Sequence, residues 1–222
     1  MNPLTGRNRI VAEFYEGPSW QRFRPWERLF LAVQGGQKRA RWPILRRLTV
    51  GDTARVLEVG IGDGDNLALL PPTWEIQGVD LARSRLTDCL RRFPKQAGRL
   101  TLAEAERLPF PDATFDACYS VGGFTFFGDH EGALREMRRV TRPGGPVVVA
   151  DEVPWLCRMG IGHLIGRPEI DAFWMRGLGL NREFLAMVFE LQLDLDEIVG
   201  SALPGARRMA IWGGLGYCIV HP

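Results

Sequence analysis

The chain has 222 residues, of which 45% are hydrophobic and 24% charged, with a formal net charge of +2. That supports one sizeable core, or one domain with a cap, and excludes a molecule held to nucleic acid by overall charge. The four cysteines are scattered without a C-x-x-C pair, and the three histidines add no metal-ligand spacing, so free thiols and no metal site are expected.

The segment before Leu48 holds most of the local basic excess, including Arg22, Arg24, Arg28, Lys38, Arg39 and Arg41. Its N-terminus is polar and lacks an apolar h-region, which reads as no signal peptide and, with the thiols, a cytoplasmic location. Within it, "SWQRFRPWERLF" interleaves Trp20, Phe23, Trp26 and Phe30 with arginines at near-helical spacing, and Pro25 is expected to break a continuous helix. Three readings stay open: a lid helix, a peripheral contact with an anionic membrane, or a packed helix with solvated arginines. No recognised nucleic-acid module accompanies the basic patch, so no nucleic-acid partner is expected.

Residues 56–150 alternate short β-branched runs with helical patterns, as in a parallel sheet with crossover helices. Strands are predicted at 56–59, 75–79, 100–103, 115–120 and 146–150. Helices are predicted at 66–70, 83–93 and 131–140. The apolar stretch 153–180 is interrupted by charges and falls short of the roughly 18 apolar residues of a membrane span. It reads as a helical insertion at about 154–180. Residues 182–199 read as one helix capped by Asn181, and 207–212 with 217–220 as a closing hairpin.

The sequence "RVLEVGIGDGDNL" places Gly60, Gly62 and Gly64 directly after the first strand, among the acids Glu58, Asp63 and Asp65. A dinucleotide fingerprint needs a third glycine where Asp65 stands, and a phosphate-binding P-loop needs a lysine and a hydroxyl that are missing here. The acids also argue against a pyrophosphate through like-charge repulsion. A ligand with a sulfonium, an ammonium and one carboxylate suits the loop, and S-adenosylmethionine is such a ligand. In "IQGVDLARSRL", Asp80 ends the second strand, where a carboxylate can accept hydrogen bonds from ribose hydroxyls. Glu104 follows the third strand and could accept from an adenine amino group, with the Ala105 amide at the ring edge.

The pieces "VLEVGIGDGD", "GVDLARSRL", "AEAERLPFPDATFD" and "ALREMRRVTRPGGPVVVADE" resemble a class I S-adenosylmethionine-dependent methyltransferase, of the small-molecule kind similar to ubiquinone and menaquinone methyltransferases. The resemblance covers about half the chain. It implies an α/β, Rossmann-like sheet of seven strands, mostly parallel with an antiparallel last strand, and helices on both faces. Residues 1–48 would then be an N-terminal helical cap and 49–222 the cofactor-binding domain. It implies cofactor contacts at Tyr15, Glu58, Gly60, Ile61, Gly62, Asp80, Leu81, Arg85, Glu104, Ala105 and Ser120. The departures are Asp63 for a small hydroxyl residue, Glu104 for aspartate, Arg85 for a methionine, and Thr125-Phe126 for paired histidines.

Direct in-line methyl transfer asks the protein for geometry and dryness more than for a nucleophile. No N/D-P-P-Y motif follows the fourth strand, and Phe124, Phe126, Phe127, Trp155, Phe173 and Trp174 suggest a small apolar or aromatic acceptor. His163 is the one candidate base, with no partner carboxylate evident in sequence. Alternatives are a catalytically silent cofactor binder and a methyltransferase of a membrane-associated lipid or quinone.

Overall fold

The computed structural model describes residues 4, 6–33, 36–153 and 160–222. Seven strands form one sheet in the order β3-β2-β1-β4-β5-β7-β6. They are β1 Arg55–Val59, β2 Glu75–Asp80, β3 Leu100–Leu102, β4 Ala117–Val121, β5 Val147–Glu152, β6 Arg207–Ile211 and β7 Gly216–His221. Strands β1 to β5 pair in parallel, and β7 lies antiparallel between β5 and β6. The expected mixed sheet with an antiparallel last strand is the one observed.

Alternation along the strands builds the two faces. Leu57, Val59, Cys118, Val147, Val149 and Ile219 point to one side, where they meet Leu134, Met137 and Val140 of α5 (His130–Val140) and Leu195 and Val199 of α9 (Leu195–Ala202). Val56, Ile76, Tyr119, Val148 and Cys218 point to the other, against Ile44 and Leu45 of α3 (Gly36–Leu45). Strands buried on both faces read as continuous apolar runs, which is why this part of the sequence was so distinct.

The N-terminal helices α1 (Gly6–Glu16) and α2 (Pro18–Val33) pack with α8 (Arg182–Phe189). Val11, Phe14, Trp20, Phe184, Met187 and Val188 make a separate apolar cluster there, and the Phe14 and Phe184 rings stack at 4.0 Å. Helix α2 runs through Pro25, contrary to the expected break. Pro25 and Gln21 are both exposed, so the carbonyl that loses its intrahelical donor faces water. The expected single helix over 182–199 is two, α8 and α9. Asn181 caps the first through the Phe184 amide at 2.8 Å, and Asp194 starts the second by accepting from the amides of Asp196 and Glu197. The expected 66–70 helix is a 3-10 turn over Leu67–Leu69. The insertion contains α6 (Ile161–Leu164) and α7 (Pro168–Gly177), while Trp155 and Cys157 lie outside the described residues. Helix α4 (Arg83–Arg92) follows β2. Cys89, Cys118 and Cys218 are free and buried.

Phe184→Ala removes a stacked, buried ring, for which about 3–5 kcal/mol of lost packing is typical. The expected outcome is early loss of the cap: limited proteolysis should cleave within α1 and α2 before the sheet is cut.

Candidate functional site

In the strand order, β1 lies between β2 and β4, so the connections after β1 and β4 diverge and leave a crevice at the carboxyl edge. A cleft of about 840 Å³, open to solvent, occupies that edge. Its floor is Glu58 to Asp63, Asp80 and Leu81, and the end of β4 from Val121 to Gly123. Its roof is Asn8, Val11 and Tyr15 of α1, Trp20 of α2 and Arg41 of α3.

The glycine loop supplies backbone to this floor. Gly60 and Gly62 adopt φ of +74° and +56°, a left-handed conformation that side-chain-bearing residues rarely take. Asp80 fixes the loop in place. Its Oδ2 accepts from the Gly62 amide and its Oδ1 from the Ala82 amide, both at 2.9 Å. Burial raises the Asp80 pKa, and those amide bonds oppose the shift. Each carboxylate oxygen keeps acceptor capacity beyond its one amide.

The expected repulsion of anions by the loop is overturned by the charges around it. Asp63 meets Arg24 at 2.7 Å, Arg92 at 3.1 Å and Arg85 at 3.5 Å. Asp65 meets Arg92 at 2.6 Å. The loop's acids are thus paired with cations from α2 and α4. What disfavours a pyrophosphate is the short 3-10 turn that follows the loop. It offers no α-helix N-terminus with stacked amides and a macrodipole.

Glu58 sits beneath the loop, 1% exposed. It accepts from Asn66 Nδ2 and from Tyr119 Oη, each at 2.6 Å. Burial pushes its carboxyl up to about 7, against the lowering effect of those two donors. At the far end of the sheet edge, buried Asp151 accepts from the Thr125 amide at 2.7 Å and holds the turn that presents Phe126 and Phe127 to the cleft. Burial, with Glu152 beside it, keeps the Asp151 carboxyl well above its ordinary range.

Of the residues singled out in sequence, Tyr15, Glu58, Gly60, Ile61, Gly62, Asp80, Leu81, Arg85 and Ala105 line the cleft. Glu104 does not; its carboxylate accepts from Asn8 Nδ2 at 2.8 Å, while Glu106 faces the cleft. Ser120 is fully buried behind it, and its hydroxyl finds no partner among the described residues. His163 lies outside the lining. Its Nδ1 stands 2.6 Å from Asp171, whose carboxylate also accepts from the Gly162 and His163 amides, so the pair clips α6 to α7. Phe124 is core, and Phe173 and Trp174 are exposed rather than pocket walls. His130 is buried edge-on to Phe124, and burial lowers its pKa to about 4.

Sequence reasoning missed Asn8 and Arg41. Asn8 carried a usable signal, a polar residue in line with the buried Val11 and Ala12 of α1. Arg41 carried none, being one cation in a basic run.

The site accommodates S-adenosylmethionine on its own features. A glycine floor allows close approach, the Asp80 carboxylate offers acceptors that would suit ribose hydroxyls, and the buried Nη1 of Arg85 in the cleft wall has no partner among the described residues. Among those residues no cluster suited to a metal ion occurs.

The Glu58 shift has a measurable consequence. Between pH 4.5 and about 7 the folded protein keeps a proton on Glu58 that the unfolded chain releases. Stability is therefore lost as pH rises through this window, by on the order of 3 kcal/mol, and the loss is complete above it. Glu58→Gln preserves the shape and can still meet Asn66 and Tyr119. Urea unfolding from pH 4 to 9 should show the gap between variant and wild type growing in the variant's favour across this window, then levelling.

A family described as "Methyltransferase domain" matches residues 57–149. The demethylmenaquinone methyltransferase of Thermus thermophilus is 37% identical over 105 residues, 45% of this chain and 48% of that protein. The fatty-acid O-methyltransferase of Mycolicibacterium smegmatis is 35% identical over 103 residues, 45% of this chain and 38% of that protein. The chain thus spans about half or less of the length of these curated relatives. A solved S-adenosylmethionine-dependent methyltransferase from Aquifex aeolicus superposes with a TM-score of 0.55 at 16% identity, covering 98% of both chains, which is a likeness of fold. Over residues 57–149 the chain is thus similar to a methyltransferase domain.

Proposed function

We propose that the protein transfers a methyl group from S-adenosylmethionine to a small apolar or aromatic acceptor by direct in-line displacement. The observation that carries this reading is the cleft itself: a glycine floor pinned by Asp80, with an aromatic wall from Phe126 and Phe127 at the end of β4. When bound, the cofactor supplies a methyl group already activated on a sulfonium. The chain's task is then to orient and to exclude water. Asp80 and the Ala105 amide would hold the nucleoside, with Tyr15 and Trp20 closing over it from α1 and α2. Phe126 and Phe127 would give the acceptor an apolar wall. Among the described residues no histidine lines the cleft, so an acceptor that ionises readily, or needs no deprotonation, suits it best. The names of the two curated relatives, one for demethylmenaquinone and one for fatty acids, support an apolar acceptor. Residues 1–48 act in this reading as a lid over the domain, which works in the cytoplasm.

A second reading, that the acceptor is a membrane-associated lipid or quinone, has its own support. Helices α2 and α3 expose Trp26, Leu29 and Trp42, and on the same two helices Arg22, Arg28, Lys38 and Arg39 are exposed. Apolar and cationic side chains together suit an anionic interface. No helix among the described residues is long and apolar enough to cross a membrane.

Two measurements test these readings. Asp80→Ala should weaken S-adenosylmethionine binding at least tenfold in a protein that still folds by circular dichroism, because charge-assisted bonds are worth roughly 1.5–3 kcal/mol each. Unchanged affinity would contradict the ribose contact. A panel of phenols, quinols and fatty acids with radiolabelled cofactor should show transfer to an apolar member. Tight binding without transfer to any member would favour a silent binder. Salt-sensitive binding to anionic vesicles, lost in Trp26→Ala/Trp42→Ala, would favour the membrane reading.

A further inference from the structure

Five large apolar side chains of the helical insertion stand in solvent, outside the cleft lining. Ile161, Leu164, Ile165, Phe173 and Trp174 are each 60–77% exposed, more than Trp26, Leu29 or Trp42 of the N-terminal helices. Ile161, Leu164 and Ile165 follow the i, i+3, i+4 spacing of one helical face across α6 and its C-terminal cap. On α7 the Phe173 and Trp174 rings meet edge-on at 5.7 Å. Apolar side chains scattered singly over a surface need no explanation, but five on one short hairpin mark an interaction surface.

The hairpin satisfies its own backbone donors. The amides of Gly162 and His163 donate to the Asp171 carboxylate at 2.9 and 2.8 Å. Those of Leu164, Ile165, Gly166 and Arg167 donate to the carbonyls of Gly160, Ile161, His163 and Gly162. Every amide from Gly162 to Arg167 thus has its partner within the hairpin. Asp171 is itself buried, with its charge turned inward to those amides and to His163. A segment that exchanges water for hydrocarbon needs its donors paired in this way.

The charges near the hairpin point to the occupant. Glu169 pairs with Arg167 at 2.9 Å, and Glu183 pairs with Arg9 at 3.4 Å. Arg22, Arg176 and Arg182 are exposed and make no ion pair among the described residues. Gly179, just past α7, lies against Ser19, Arg22 and Phe23 of α2, so Arg22 adjoins the end of α7 that carries Arg176. An apolar tip backed by free cations complements a bilayer with anionic headgroups. A second copy of the chain seated on the same patch would set these cations against one another, a like-charge contact that disfavours it.

We propose that the α6–α7 hairpin docks the protein on an anionic lipid bilayer, with Ile161, Leu164, Ile165, Phe173 and Trp174 entering the apolar layer and Arg22, Arg176 and Arg182 meeting the headgroups. This rests on the membrane reading above and assigns the element that enters the bilayer. Tryptophan suits that boundary, with an apolar ring and a polar N–H. Helix α2 adjoins the hairpin and also carries Trp20 to the cleft lining, so docking would bring the cleft close to a source of apolar acceptors.

Co-sedimentation of the full chain with two kinds of vesicle tests this, phosphatidylcholine alone and phosphatidylcholine mixed with phosphatidylglycerol. Wild-type protein should partition onto the mixed vesicles, less onto phosphatidylcholine alone, and less onto either as salt rises. Leu164→Ser/Trp174→Ser should weaken partitioning by about tenfold or more, because two exposed side chains lose their apolar burial, while circular dichroism stays that of wild type. Ile161→Ser/Ile165→Ser should repeat the loss and stands in should the first variant fail to fold. Arg176→Gln/Arg182→Gln should reduce the preference for phosphatidylglycerol. Hairpin variants that bind as wild type does, while Trp26→Ala/Trp42→Ala loses binding, would overturn the hairpin and leave the membrane reading in place. Wild-type protein that binds neither vesicle would overturn both. A dimer in sedimentation equilibrium that Leu164→Ser/Trp174→Ser abolishes, without vesicle binding by wild type, would make a second copy the occupant and overturn the proposal.

Discussion

The carboxylate of Asp80 ties the glycine loop to the neighbouring strand, and the shape of the cleft depends on that tie. Two backbone amides, one from Gly62 and one from Ala82, converge on its two oxygens. The loop after β1 is thereby drawn towards β2 rather than left to fold back over the sheet edge. Gly60 and Gly62 can accept this course because their positive φ costs them no Cβ clash. A side chain that clamps the loop also presents its remaining lone pairs to the cleft. In the proposed function, structure and ligand recognition would rest on the same atoms.

Charge is organised around the same loop. A run of acids at the mouth of a low-dielectric cleft would repel itself, and burying such acids unpaired is expensive. Helices α2 and α4 relieve this. Arg24 reaches Asp63 from α2, and α4 supplies Arg85 and Arg92. The cap is thus tied to the domain at the loop as well as through the Phe14–Phe184 cluster. It is tied again where Asn8 reaches Glu104 and Glu106, and where Trp212 Nε1 donates to the Ala40 carbonyl at 2.9 Å. The same helices supply Asn8, Val11, Tyr15, Trp20 and Arg41 to the cleft lining.

Much of the sheet was legible because its strands are buried on both sides and punctuated by glycine and proline. The glycine loop and Asp80 were legible because their spacing fixes where backbone and carboxylate fall along β1 and β2. What escaped was set by partners remote in sequence. The loop reads as negative until Arg24, Arg85 and Arg92 are brought to it. Glu106 rather than Glu104 lines the cleft, and both accept from Asn8 of α1, a partner remote in sequence. The break between α8 and α9 depends on whether Asp194 caps a new helix or sits on the polar face of a longer one, and the same residue allows both. His163 gained a carboxylate partner in Asp171 that no spacing announces, yet the pair is turned to holding α6 on α7.

The central claim is that this cleft selects S-adenosylmethionine-type ligands over dinucleotides. Calorimetric titration of the full chain with S-adenosylhomocysteine and, separately, with NADH tests it most directly. Saturable binding of one equivalent of S-adenosylhomocysteine, with no heat from NADH, is the expected result. Binding of NADH with no response to S-adenosylhomocysteine would contradict it.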